Sequence, residues 1–127
     1  MFRKSFFLLP ALLALLAAGP ASASGDAEKG SAVFKKCKAC HSLVAGKHKL
    51  GPSLAGVIGR TAGTADGYRY SKAMKAYGDS GVVWTEESLD AYLEAPRKIV
   101  KGTKMTFAGL KKPQQRADLI AYLQSAQ

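Results

Sequence analysis

The sequence predicts an all-α domain with three main helices, joined by shorter helical pieces and long loops. Three observations carry this. Apolar residues recur at helical spacing near both ends of the chain and once between them, each time behind a residue suited to starting a helix. No stretch alternates apolar and polar side chains as a half-buried strand would. From Ser42 to Tyr70 there is no sustained period, only a glycine-rich segment marked by Gly46, Gly51, Gly56, Gly59, Gly63 and Gly67. A loop of that length inside a compact domain needs something to wrap.

Taken in order, the chain opens with Arg3 and Lys4, an apolar run from Phe6 to Ala18 and the small residues Ala21-Ser22-Ala23. This is the layout of a secretory signal peptide, read as residues 1–23 and cleaved after Ala23. The apolar run is shorter than the roughly 20 residues a membrane-spanning helix needs. What remains, 24–127, is one small domain with a thin core that a buried cofactor would help to fill. Its first helix starts at Asp26, a capping residue, with Glu28 favoured at the positive end, and is expected to run to about Lys38. Ala27, Gly30, Val33, Phe34 and Cys37 form its inward face. Gly30 costs roughly 1 kcal/mol against alanine there, which a close helix crossing would explain. Ser71 to Tyr77 reads as a short helix capped by Ser71 and ended by Gly78. Thr85 caps the next helix, with Ser88 where a capping box would place glutamate; Leu89, Tyr92 and Leu93 make its apolar stripe and Pro96 stops it. Lys101 to Lys112 is non-helical. Pro113 suits the first turn of a last helix through Ser125, apolar at Leu119, Ile120, Tyr122 and Leu123.

Chemistry concentrates in Cys37-Lys38-Ala39-Cys40-His41. Two cysteines about one helical turn apart match the spacing of two vinyl groups on a haem edge, and a histidine directly after them can turn its imidazole under the ring to the iron. A zinc site would need two further ligands, and with no other cysteine these would come from His48 and a carboxylate, a poor set. A thiol–disulfide pair of the thioredoxin kind would need strands alternating with helices, which the pattern lacks. Both cysteines lie in one motif of an exported chain, so no disulfide framework is available.

The composition is strongly basic. Without Arg3 and Lys4, 17 Lys and Arg stand against 9 Asp and Glu. Such a chain meets an acidic partner, whether nucleic acid, an anionic membrane surface or an acidic protein face, or uses its lysines only for solubility. Export argues against nucleic acid.

In sequence the chain resembles class I cytochrome c, particularly the bacterial cytochrome c2 and mitochondrial types. The likeness rests on an ordered series: Gly25-Asp26-Ala27-Glu28-Lys29-Gly30, the Cys-x-x-Cys-His motif, Gly51-Pro52-Ser53-Leu54, Gly59-Arg60, Gly67-Tyr68-Arg69-Tyr70, Trp84, Tyr92-Leu93-Glu94-Ala95-Pro96, Gly102-Thr103-Lys104-Met105-Thr106-Phe107-Ala108-Gly109 and Asp118-Leu119-Ile120-Ala121-Tyr122-Leu123. The resemblance implies the class I fold wrapped around one haem c, covalently held by Cys37 and Cys40. His41 would be the proximal iron ligand, oriented by the Pro52 carbonyl, and Met105 the distal one. Tyr70 and Trp84 would donate to a buried propionate, Arg60 would offset its charge, and Tyr92 and Thr103 would lie beside the methionine. His48 follows His41 too closely to reach the opposite haem face and is expected to make a loop hydrogen bond. One departure stands out: where the family usually carries asparagine near the haem, this chain has Met74, a second thioether.

With histidine and methionine both bound the iron has no open site, so the implied function is a periplasmic, monomeric one-electron carrier, with no catalysis of its own. Its partners would be acidic faces of membrane redox complexes, a bc1-type donor and an oxidase or reaction-centre acceptor. Two other readings are a haem subunit of a periplasmic dehydrogenase or oxidase complex, and a haem peroxidase, which requires Met105 unligated. A ring of Lys36, Lys47, Lys49, Arg97, Lys98, Lys101, Lys104, Lys111 and Lys112 is expected around an exposed haem edge. The first and last helices are expected to cross at Gly30, with Phe34 against Leu119 and Tyr122.

Overall fold

The computed structural model of the protein describes residues 25–126; the segment read as a signal peptide lies outside them. Five helices follow in order, α1 (Ala27–Phe34), α2 (Lys72–Asp79), α3 (Glu86–Glu94), α4 (Pro96–Ile99) and α5 (Pro113–Ser125). Among the described residues there is no strand, only an isolated antiparallel bridge between Thr61 and Val83. No helix among them is long and apolar enough to cross a membrane.

Local chemistry explains the helix starts. Asp26 accepts from the Lys29 N–H at 3.1 Å and Ser71 from the Met74 N–H at 3.0 Å. Thr85 and Ser88 form a reciprocal capping box, each hydroxyl accepting the other's N–H, so serine does the work usually given to glutamate. The last helix has the predicted bounds because Pro113 gives up no bond in a first turn.

Three boundaries differ from expectation. The first helix stops at Phe34 rather than near Lys38. Beyond it the chain tightens into turns, with Cys37 N–H on the Phe34 carbonyl at 2.8 Å and both Cys40 and His41 N–H on the Cys37 carbonyl at 3.1 and 2.9 Å. The cysteine pair therefore stands on closed turns, not on one face of a regular α-helix. The second helix passes through Gly78 to Asp79; that glycine is buried where the Ala62 carbonyl approaches too closely for a Cβ. Finally, Pro96 ends α3 and also opens α4, its fixed φ suiting a first turn.

Packing starts where α1 crosses α5. At Gly30 a Cβ would meet the Asp118 carbonyl and lie 2.7 Å from Tyr122 Cβ, so the backbones approach as only glycine permits. The Phe34 and Tyr122 rings pack at 5.4 Å beside it. Buried Asp118 accepts from the Asp26 N–H at 2.8 Å and from Gln114 at 2.9 Å, tying the start of α1 to α5. The Asp26 N–H, then Gln114, with a smaller pull from the Lys29 charge, hold its carboxyl below the usual range against the opposing effect of desolvation. Arg116 joins α5 to α3 through Asp90 at 2.7 Å and donates to the Leu110 carbonyl at 2.9 Å. Leu89 and Leu93 of α3 and Leu119, Ile120 and Leu123 of α5 are buried with Phe34, Trp84 and Val57. All of these except Ile120 also line a space inside the fold.

Gly30→Val should lower folding stability by about 1–3 kcal/mol through overpacking at the crossing. Thermal unfolding checks this, and an unmoved midpoint would contradict the close approach of α1 and α5.

Candidate functional site

The space inside the fold is a cavity of about 560 Å³, within the range of cofactor sites. Its walls come from Phe34 of α1, the turns after it, the long loop, α2, α3, the segment before α5, and Leu119 and Leu123 of α5. All ten residues singled out from the sequence line it, namely Cys37, Cys40, His41, Pro52, Arg60, Tyr70, Trp84, Tyr92, Thr103 and Met105.

On one wall the two cysteines are half-buried and not bonded to each other. Burial raises the Cys37 thiol, partly countered by the Lys36 charge, with Cys40 adding a smaller upward push. His41 follows, its Nδ1 2.7 Å from the Pro52 carbonyl. A carbonyl can only accept, so Nδ1 carries the proton and Nε2 keeps its lone pair. Burial pushes this imidazole below its ordinary pKa, against the Pro52 hydrogen bond, and the nearby Lys49 charge adds to the lowering. It is thus a neutral ring with a fixed tautomer, the form that ligates a metal. Gly51, quoted within a motif but given no role of its own, belongs to the site as well. A Cβ on it would lie 2.7 Å from His41 Nδ1 and 2.8 Å from Nε2, so the imidazole occupies the room its missing side chain leaves.

Met105 enters from the irregular segment before α5. The Tyr92 hydroxyl lies 3.9 Å from its sulfur, and its N–H donates to the Thr103 hydroxyl at 3.2 Å. Cations hold the flanks: Lys104 reaches the Arg69 carbonyl at 3.0 Å and Arg97 the Thr106 carbonyl at 2.6 Å. A thioether has two lone pairs, so one stays available to a metal when tyrosine uses the other. Met74, half-buried in α2, lines the same cavity.

A third group gathers hydrogen-bond donors. Arg60 donates through its terminal nitrogens to the Ala55 and Ser53 carbonyls at 3.1 and 3.3 Å. Its Nε is buried without a partner, the one such side-chain atom among the described residues. Buried donors are rarely left unpaired, and an anionic group inside the cavity would satisfy this one. Tyr70 accepts the Ala65 N–H at 2.9 Å, leaving its own hydroxyl proton free to donate. Trp84 is buried at the wall, its ring 4.9 Å from that of Tyr92. Two sulfurs at an edge, a lone-pair nitrogen, a thioether and donors for carboxylates, set in apolar walls, fit a haem. His48 stays outside the cavity lining: its Nδ1 accepts the Ser53 N–H at 3.0 Å, so Nε2 donates to the Asp66 carbonyl at 2.7 Å.

Fold and site together define an all-α protein built around a covalently attached haem. Residues 27–127 match the Cytochrome c family. The chain is 52% identical over 100 residues to a cytochrome c2 of Agrobacterium tumefaciens (strain II Chrys), covering 78% of this chain and 90% of that one. It is 53% identical over 102 residues to cytochrome c 2.1 of Caenorhabditis elegans, covering 80% and 89%. With a cytochrome c of Trypanosoma brucei brucei it shares 59% over 80 residues, or 63% and 83%. The chain belongs to the cytochrome c family, carries one haem c bound through Cys37 and Cys40, and is an electron carrier, not an enzyme.

Gly51→Ala should displace the His41 ring from the Pro52 carbonyl and cost roughly 1–3 kcal/mol by overpacking. Proton NMR of the Nδ1–H together with thermal unfolding checks this; an unmoved resonance and midpoint would show that the ring has room to spare.

Proposed function

We propose that the protein is an exported, periplasmic, monomeric one-electron carrier whose haem iron is held by His41 and Met105, working between membrane complexes that present acidic faces. The observation that carries this reading is that His41 and Met105 line one cavity, each with its own hydrogen-bond partner, Pro52 and Tyr92. When bound, the haem supplies a one-electron ferric–ferrous couple. The protein's own residues set how easily that couple turns over. Met105 is a weak donor that favours the reduced state, and apolar walls disfavour the extra charge of the oxidised state. Arg60, with its free Nε, and the donors Tyr70 and Trp84 would hold the propionates.

Export is supported by Arg3, Lys4, the apolar run and Ala21-Ser22-Ala23, and by the similarity to a bacterial cytochrome c2. Lys36 and Lys104 stand exposed at the cavity rim and no carboxylate lines it. Such a rim steers the protein to acidic surfaces, most strongly at low salt because the screening length is about 8 Å at physiological ionic strength. Among the described residues the large exposed apolar side chains are Val44, Leu50, Val83 and Ile99. This favours a diffusing carrier over a subunit seated on a broad apolar face.

Met105→Ala should leave the haem covalently attached, open the sixth iron position to carbon monoxide and lower the reduction potential by at least ~60 mV, a tenfold change in the one-electron equilibrium. Redox titration and carbon monoxide difference spectra check this. An unchanged potential with no carbon monoxide bound would remove Met105 from the iron and point to Met74.

A further inference from the structure

We infer that Tyr77, Trp84 and Tyr92 form a relay that carries an oxidising equivalent from the haem cavity to the protein surface at α2, so that a peroxide which over-oxidises the haem draws an electron from Tyr77 and spares the cavity wall. The inference goes beyond the carrier reading and needs only a haem in the cavity. The Tyr77 and Trp84 rings lie 5.8 Å apart, and those of Trp84 and Tyr92 4.9 Å apart. The Tyr92 hydroxyl is 3.9 Å from the Met105 sulfur, and both residues line the cavity. Aromatic contacts at such separations are ordinary core packing; the order of these is not. Trp84 and Tyr92 are buried, while Tyr77 is half-buried and stands outside the cavity lining. Each member is a phenol or an indole, the aromatic side chains that give up an electron, and the series runs from the cavity to the surface. The Phe34–Tyr122 pair lacks this character, because phenylalanine resists oxidation.

The backbone holds the series in place. The Trp84 N–H donates to the Arg60 carbonyl at 2.9 Å, and the Trp84 carbonyl accepts the Gly59 N–H at 2.8 Å. Gly78, next to Tyr77, is where α2 approaches the Ala62 carbonyl more closely than a Cβ would allow. That approach seats α2 on the loop and the Tyr77 ring beside Trp84. Transfer between rings held in this way needs no rearrangement of side chains.

Electron tunnelling weakens steeply with distance, so short steps through oxidisable rings outrun one long step through aliphatic core. In normal carriage the relay is silent, because the ferric–ferrous couple is too weak an oxidant to take an electron from a phenol or an indole. Hydrogen peroxide is stronger, and takes two electrons and two protons to become two waters. The iron gives one electron and the relay the other, which leaves Tyr77 as a neutral tyrosyl radical once its phenol proton has passed to solvent. The gradient of burial sets the direction. Burial disfavours a charged species at Trp84 or Tyr92, whereas half-buried Tyr77 can release its proton to water. A soluble thiol then returns one electron and one proton to the ring.

The test uses the full haem-loaded protein, with hydrogen peroxide added until the haem absorption begins to fall, a nitroso spin trap to label protein radicals and peptide mapping to place the label. Wild type is compared with Tyr77→Phe, Trp84→Phe and Tyr122→Phe, the last a control whose ring packs on Phe34 outside the cavity lining. Each is measured alone and combined with Met105→Ala, which opens the iron. Peroxide consumption no faster in that background would count against Met105 as a ligand, while the relay is still read in the proteins that keep Met105. Wild type is expected to carry the label on Tyr77. Tyr77→Phe and Trp84→Phe should move the label to Tyr92 and bleach the haem faster, with the reduction potential of Tyr77→Phe unchanged and Tyr122→Phe matching wild type. A label on Tyr68 or Tyr122 with none on Tyr77, or bleaching with no label at all, would overturn the relay. So would a Tyr77 label that persists in Trp84→Phe, since direct attack at the surface needs no indole, or bleaching of Tyr77→Phe at the wild-type rate. If Trp84→Phe does not fold, the bleaching rate of Tyr77→Phe decides alone.

Discussion

The hydrogen bond from His41 Nδ1 to the Pro52 carbonyl is the contact on which the site depends. It joins the turns after α1 to the long loop, so the cysteine motif and the residues that follow it hold one geometry. It also fixes the tautomer, which leaves Nε2 with its lone pair in a residue that lines the cavity. Two neighbours make the contact possible. Gly51 supplies the space the ring occupies, and its N–H on the Cys40 carbonyl returns the loop to the motif. Further along, His48 bridges Ser53 to Asp66 and Tyr68 bonds the Leu50 carbonyl, so the loop is braced at both ends without regular secondary structure.

The remainder of the fold serves the opposite requirement, a wall that keeps its shape around a large group. The α1–α5 crossing provides it through Gly30, Phe34, Tyr122 and the Asp118 hydrogen bonds. Arg116 extends the same rigidity to α3 and to the end of the segment that carries Met105. The cavity is thus continuous with the core: Leu119 and Leu123 are buried core residues and cavity lining at once. Removing the bound group would leave a void among these side chains, which is why a chain of this size is expected to depend on it for stability.

Local chemistry was legible in the sequence. Pro113 marked the start of α5, Thr85 and Ser88 the capping box, and Cys37, Cys40 and His41 the attachment motif, because in each case the interacting residues lie within a turn of one another. Met105 could be chosen only through the resemblance, since its partner Tyr92 is thirteen positions away. The residues that escaped are those whose role depends on distant backbone. Gly51 matters because an imidazole folds onto it, and Gly78 because the Ala62 carbonyl passes beside it. The early end of α1 was hidden for a different reason: an apolar face with helical spacing looks the same whether the chain continues as α-helix or tightens into turns.

The central claim, that His41 and Met105 both bind the iron, is tested most directly by the absorption spectrum of the oxidised protein. The account predicts a low-spin ferric spectrum with the weak far-red charge-transfer band that methionine–iron coordination produces. A high-spin spectrum without that band would contradict it, because the iron would then have an open position.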